Sequence, residues 1–279
     1  MIDIEKLIQS ANAITPLPET VTRLMALLGR DNTNISDIED VFSYDAALSA
    51  RLLRQANSAA SGARSTIGTI PAAVVRLGFG SVFALAVSVS TQEELDTALP
   101  AYGMDENAMW RHAQAARLVV DGLRRFSKMQ MPPETQTAAL LHDIGKIVMA
   151  RHLEPEILEV LKLASQDGNS ITIEAEREVL EVHHGELGGL IAQHWQLPTI
   201  VVRGISFHHE PEACPEEDRH VAHIVCLANW AAKVAVARKE GLEFNEPPPP
   251  SMAILGVTNE KLEPAIAYAV EGLANLEAI

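Results

Sequence analysis

Apolar residues recur at helical spacing along nearly the whole chain, and this period restricts the fold more than any single motif does. Val21, Leu24, Met25 and Leu28 share one helix face, and Leu48, Leu52 and Leu53 share another. A period near 3.6 marks a helix that buries one side, whereas strict alternation marks a strand. Aromatic residues make up 4% of the chain while alanine and leucine are plentiful, which favours helix over sheet. The expected fold class is therefore all-α. The 279 residues, 47% of them hydrophobic, suffice to bury a substantial core.

Punctuation residues divide the pattern. Ile2, Ile4, Leu7 and Ile8 open with a short amphipathic turn, after which Pro16 and Pro18 interrupt. Ser36 to Glu39 read as a capping box, and Asp45 as an N-cap. Short helices are expected over Ile70 to Leu77 and Ser81 to Val89, separated by Gly78 and Gly80. The polar joint from Leu95 to Met104 marks a sub-domain boundary. Asp105 is expected to cap a long helix reaching Phe126, whose Arg124-Arg125 end is solvated and suits the helix dipole. Pro132-Pro133 is expected to start the next helix. Further helices are predicted near 154–167, 172–183, 186–195, 198–208 and 218–239, then the rigid run Pro247 to Pro250 and a last helix from Asn259 to Leu276. The expected division is 1–100, 101–240 and 241–279.

The net charge of −15 disfavours nucleic acid and anionic membranes as partners. Cys214 and Cys226 form no CxxC pair, and the N-terminal stretch lacks the apolar core of a signal peptide. The apolar stretch around Leu77 to Val89 is too short and interrupted to span a bilayer. These features lead to the expectation of a cytoplasmic protein.

The polar residues that break the apolar pattern are mostly histidines. In "LLHDIGK", His142, Asp143 and Lys146 fall within an arc of about 100° on a continuous helix, opposite Leu140, Ile144 and Ile147. Such a face could simply be exposed. His112 lies in an apolar stripe with Ala108, Ala116, Val119 and Leu123, so it needs a partner, in the core or in a site. Two doublets follow, His183-His184 and His208-His209. Imidazole with carboxylate is a ligand set for Zn, Fe, Ni or Mn, provided the fold brings the groups together. His152, His194, His220 and His223 match no such pattern and read as surface or packing residues.

Taken in order, the motifs resemble the HDOD domain, an HD-related output domain of bacterial signalling proteins within the HD phosphohydrolase superfamily. They are "LPETVTRLMALL", "YDAALSARLLRQANSA", "IPAAVVRLGFGSV", "MWRHAQAA", "ALLHDIGKIVM", "HHGELGGLIAQHWQLP" and "ISFHHEPE". The resemblance spans roughly Leu7 to Val236. It implies an N-terminal helical bundle packed on a five-helix HD-like core. It also implies one ion site from His112, His142, Asp143 and a late carboxylate, with Asp143 bridging to a second from His184, His208 and His209.

The late carboxylate falls at Asn229, a neutral and weaker ligand, and no "GYP" signature follows "HHE". Two function classes follow. One is a regulatory module with a degenerate HD site, acting through other signalling proteins. The other is a metal-dependent phosphohydrolase, with Asp143 and Lys146 in the catalytic site, Lys146 touching the phosphate of a phosphorylated ligand. Either would carry a divalent transition metal (Fe, Mn, Zn or Ni), lost as pH falls through about 6.5 because imidazole must be neutral to bind.

Overall fold

A computed structural model describes residues 9, 11, 14–28, 30, 33–58, 66–127, 129–165 and 171–277. The expected turn over Ile2 to Ile8 lies outside the described residues. The chain is all-α, with no named strand among the described residues and a single isolated bridge pairing Leu99 with Met104.

The N-terminal region comprises α1 (Glu19–Leu28), α2 (Ile35–Ser43), α3 (Ala46–Asn57), α4 (Ile70–Leu77), α5 (Phe79–Ser90) and the short α6 (Gln92–Leu95). Asp45 caps α3 as its sequence implies, accepting the Leu48 N–H at 2.9 Å. The capping box at α2 sits earlier than expected. Asn34, in extended conformation, is the N-cap, and its N–H bonds Asp37 Oδ2 at 2.9 Å. Gly78, at φ +80°, ends α4, and the chain turns 107° into α5. α5 is buried from Gly80 to Ser88, so it forms the centre of this region.

The second region holds α7 (Ala108–Ser127), α8 (Thr135–Leu141), α9 (Gly145–His152), α10 (Pro155–Ala164), α11 (Ile173–Leu180), α12 (His184–His194), α13 (Thr199–Ser206) and α14 (Glu216–Glu240). α7 starts later than Asp105, because Asn107 adopts a left-handed φ of +63° before the first helical residue. α14 carries acidic residues in its first turn and basic ones in its last, matching the helix dipole. α15 (Ser251–Ile254) and α16 (Asn259–Glu277) complete the order.

Two apolar cores result. One runs without interruption from Val21 in α1 through Phe83 in α5 to Ile144, Leu187 and Val225, so N-terminal helices and HD-like core share it. The other lies on the far side of α7. There Val119 and Leu123 meet Leu227 and Ala231 of α14 and Ile266 and Leu273 of α16. A Cβ on Gly122 would lie 2.8 Å from the Ala265 Cα, which shows how closely α7 and α16 cross. Arg124 is not a solvated helix end. It donates to the Leu77 carbonyl at 3.2 Å and pairs with Asp121, tying α7 to the α4–α5 corner. By length and composition α14 alone among single described helices could cross a membrane, and over half of its apolar window is buried inside the protein.

Candidate metal centre

The chain does not run as one helix through the His-Asp pair. α8 ends at Leu141, residues 142–144 form a turn, and α9 begins at Gly145. His142 and Asp143 are 0% and 3% exposed, so the polar face read from the helical wheel is buried rather than solvated. The His142 Nδ1–H donates to the Ala139 carbonyl at 2.8 Å, leaving the Nε2 lone pair to face inward.

Four further segments converge on this turn. α7 supplies His112, α12 begins with His184, the turn after α13 carries His208 and His209, and α14 carries Asn229. The first doublet divides its labour. His183 is the N-cap of α12, its Nδ1 accepting the Gly185 N–H at 3.1 Å, while His184 points to Asp143. Gly145 makes the approach feasible, since a Cβ there would lie 2.0 Å from the His184 carbonyl oxygen.

The polar atoms form two groups around Asp143. On one side His112 Nε2 lies 3.1 Å from His142 Nε2, 3.1 Å from Asn229 Oδ1 and 3.6 Å from Asp143 Oδ2. On the other, Asp143 Oδ1 lies 3.2 Å from His184 Nε2 and 3.9 Å from His208 Nε2, and His209 Nε2 lies 3.0 Å from His184 Nε2. One ligand atom each from Asp143, His184, His208 and His209 lies within 4.8 Å of all the others. Lys146 donates to Asp143 Oδ2 at 2.7 Å, so an ammonium already shares the oxygen that faces His112 and His142.

The donor chemistry tests whether a cation fits. His184 Nδ1 faces Glu176 at 2.7 Å and His208 Nδ1 faces the Ile205 carbonyl at 2.7 Å, so each Nδ1 carries the proton and each Nε2 presents a lone pair. Asp143 Oδ1 and His208 Nε2 are buried with no hydrogen-bond partner. Two buried acceptors left without a donor are costly, and a bound cation would satisfy both. The residues present therefore fit a divalent transition metal at the group formed by Asp143, His184, His208 and His209.

Burial keeps most of these imidazoles neutral. It pushes His112 down to about 3, helped by His142, and it lowers His142. Burial and neighbouring histidines hold His208 and His209 well below the ordinary range. Burial is the largest influence on His184 and lowers it, but Glu176 and Asp143 together raise the net value. Burial opposes ionisation of Asp143, yet His142, Lys146 and His184 together keep its carboxyl well below the ordinary range. Glu176 is 0% exposed and also accepts the Tyr102 hydroxyl at 2.7 Å. The sequence reading missed Glu176 and Tyr102, since a glutamate in "IEAEREVL" carries no pattern that separates it from its exposed neighbours. His223 is a packing residue, buried against Ser251 Oγ at 3.0 Å.

A helical core with a buried His-Asp pair at a helix break, ringed by further histidines, defines a protein of the HD type. Residues 14–211 match the HDOD domain, and the chain belongs to the HDOD family. Over 221 residues it is 28% identical to an uncharacterized protein of Treponema pallidum (strain Nichols), a match covering 79% of this chain and 42% of that one. The chain thus spans less than half the length of that relative. The fold is similar to an HDOD domain protein of unknown function from Geobacter sulfurreducens (TM-score 0.68, 20% identity, 99% of this chain and 95% of that one). It is also similar to a candidate phosphohydrolase from Shewanella amazonensis SB2B (TM-score 0.70, 23% identity, 97% of each chain).

Proposed function

We propose that this chain is a cytoplasmic regulatory module of signal transduction, acting through other signalling proteins, with a metal ion at the Asp143 centre that supports the fold. The observation carrying this reading is the charge count beside His112. Asn229 contributes only a neutral amide oxygen, and Asp143 Oδ2 is already engaged by the Lys146 ammonium at 2.7 Å. Dications held about 3.5–4 Å apart for hydrolysis need carboxylates to offset their repulsion. Here Asp143 alone touches both groups. The histidine-rich group remains suited to one ion, with Glu176 fixing the His184 tautomer and Ile205 that of His208. In the N-terminal region Tyr44, just past α2, and Val75 on α4 are 79% and 71% exposed, surface of the kind a protein partner covers.

A second reading, a metal-dependent phosphohydrolase, is favoured by the complete Asp143, His184, His208 and His209 set. A divalent ion there would polarise a phosphoryl oxygen and acidify a water. Lys146 would then have to leave Asp143 to meet the phosphate.

Assay of the wild type and Asn229→Asp against cyclic dinucleotides and simple phosphoesters, with added Mn²⁺ or Fe²⁺, separates the two. The regulatory reading expects negligible turnover by the wild type. Robust wild-type turnover overturns it.

A further inference from the structure

A second polar site lies away from the histidines, in a cleft of about 300 Å³ between α3, α5, α7 and α16. Its floor is Arg117, 1% exposed. The only hydrogen bond of Arg117 among the described residues runs from Nε to Gln114 Oε1 at 3.0 Å, so its Nη groups are unbonded. Gln114 is itself held by Ser88, so its position is fixed.

Among the described residues no carboxylate bonds this guanidinium directly, although the nearby Asp121 charge partly offsets it. Asp121, one turn along α7, is engaged elsewhere. It accepts the Tyr268 hydroxyl at 2.6 Å and pairs with Arg124 at 3.2 Å and with Arg125 at 3.3 Å. A buried cation with no directly paired counter-charge is costly, and burial lowers the proton affinity of Arg117 while Asp121 and Tyr268 oppose that. Other polar atoms in the same wall are also unsatisfied. Asn275 Nδ2 and Gln55 Oε1 are buried without partners, and both residues line the cleft. Arg51 and Arg54 stand exposed at its edge, adding positive charge to a chain of net charge −15. Leu77, Leu85 and Val89 supply the apolar part of the lining.

We infer that this cleft binds a small amphipathic anion, whose carboxylate or phosphate head pairs with Arg117 and whose apolar body rests on Leu77, Leu85 and Val89. The planar guanidinium presents a fork matching either oxyanion, and Asn275 adds a donor. The cleft volume suits a body the size of one aromatic ring or a short alkyl chain. This site is independent of the metal centre and of either reading of it.

The test is calorimetric titration of the full chain with phenyl phosphate, benzoate, inorganic phosphate and benzyl alcohol. Phenyl phosphate or benzoate, whichever head is preferred, is expected to bind at least about tenfold more tightly than inorganic phosphate or benzyl alcohol. Asp143→Ala should leave that binding unchanged, which separates this cleft from the metal centre. Arg117→Met should weaken it at least about tenfold with helix content unchanged. Asn275→Leu, on a different helix, should weaken it about threefold or more. Equal affinity for wild type and Arg117→Met, or binding of neither aromatic anion, would each overturn the proposal.

Discussion

Replacing Gly145 by alanine tests how the metal centre is assembled. The added methyl would sit 2.0 Å from the His184 carbonyl oxygen and 2.7 Å from the Gly188 nitrogen, both backbone atoms. A carbon and an oxygen in close contact rest about 3.3 Å apart, so α9 and the start of α12 must separate by roughly 1.3 Å. Overpacking of this kind destabilises by about 1–3 kcal/mol, and the upper end applies because backbone cannot swing aside as a side chain can. For a chain of this size about 3 kcal/mol lowers the melting temperature by roughly 6–12 °C. The same displacement pulls His184 Nε2 away from Asp143 Oδ1, now 3.2 Å apart, so metal affinity should fall at least about tenfold. Gly68, with nothing within 4 Å of an added Cβ, is the control, and Gly68→Ala should match the wild type in both properties. The assays are thermal unfolding and metal content of protein purified without a histidine tag. A Gly145→Ala protein with wild-type melting temperature and wild-type metal content would refute the reasoning.

Glu176→Gln should weaken metal binding by about 10–100-fold with helix content unchanged, since the amide holds His184 less firmly; chelator competition checks it, and unchanged affinity would remove Glu176 from the centre. Metal-stripped protein should lose stability in mild acid. His112, His142, His208 and His209 are held neutral when folded but bind protons below about pH 6.5 when unfolded, so their stabilisation is present above that pH and is lost as pH falls, for His112 down to about 3. Each contributes up to about 1.4 kcal/mol per pH unit in that window, and a urea midpoint at pH 5.5 equal to that at 7.5 would contradict the assignment. His184, raised by Glu176, is the histidine on which protons compete with metal, so metal release should begin above pH 6.5 rather than below it; occupancy measured against pH decides. Leu273→Ala, at a fully buried position on α16, should cost about 2–5 kcal/mol, read by denaturant unfolding.

Much of the fold was legible because burying one face of a helix leaves a periodic trace. α3 with its Asp45 cap and α16 follow that trace closely. His112 and His142 stood out for a different reason, since a histidine inside an apolar run is costly unless something holds it, whereas His184, His208 and His209 were singled out by the family resemblance. The break at residues 142–144 was not legible. A helical wheel assumes continuity, and what stops α8 is a tertiary matter, the approach of α9 to α12 through Gly145. Glu176 and Arg117 escaped notice because ionised side chains usually lie on the surface, and only the assembled neighbours reveal which are enclosed.

The crossing of α7 by α16 bears on how the protein is made. Ribosomes deliver α7 early and α16 after every other described helix. Through most of synthesis, the side of α7 bearing Leu118, Val119 and Leu123 therefore has no cover from α16. Asn229, too, reaches His112 only once α14 has emerged. Such widely separated partners make closure of the fold slow, and a nascent chain stalled before α16 exposes a sticky stripe that chaperones recognise. Translation speed between α14 and α16 should thus influence the yield of folded molecules more than speed between α1 and α5.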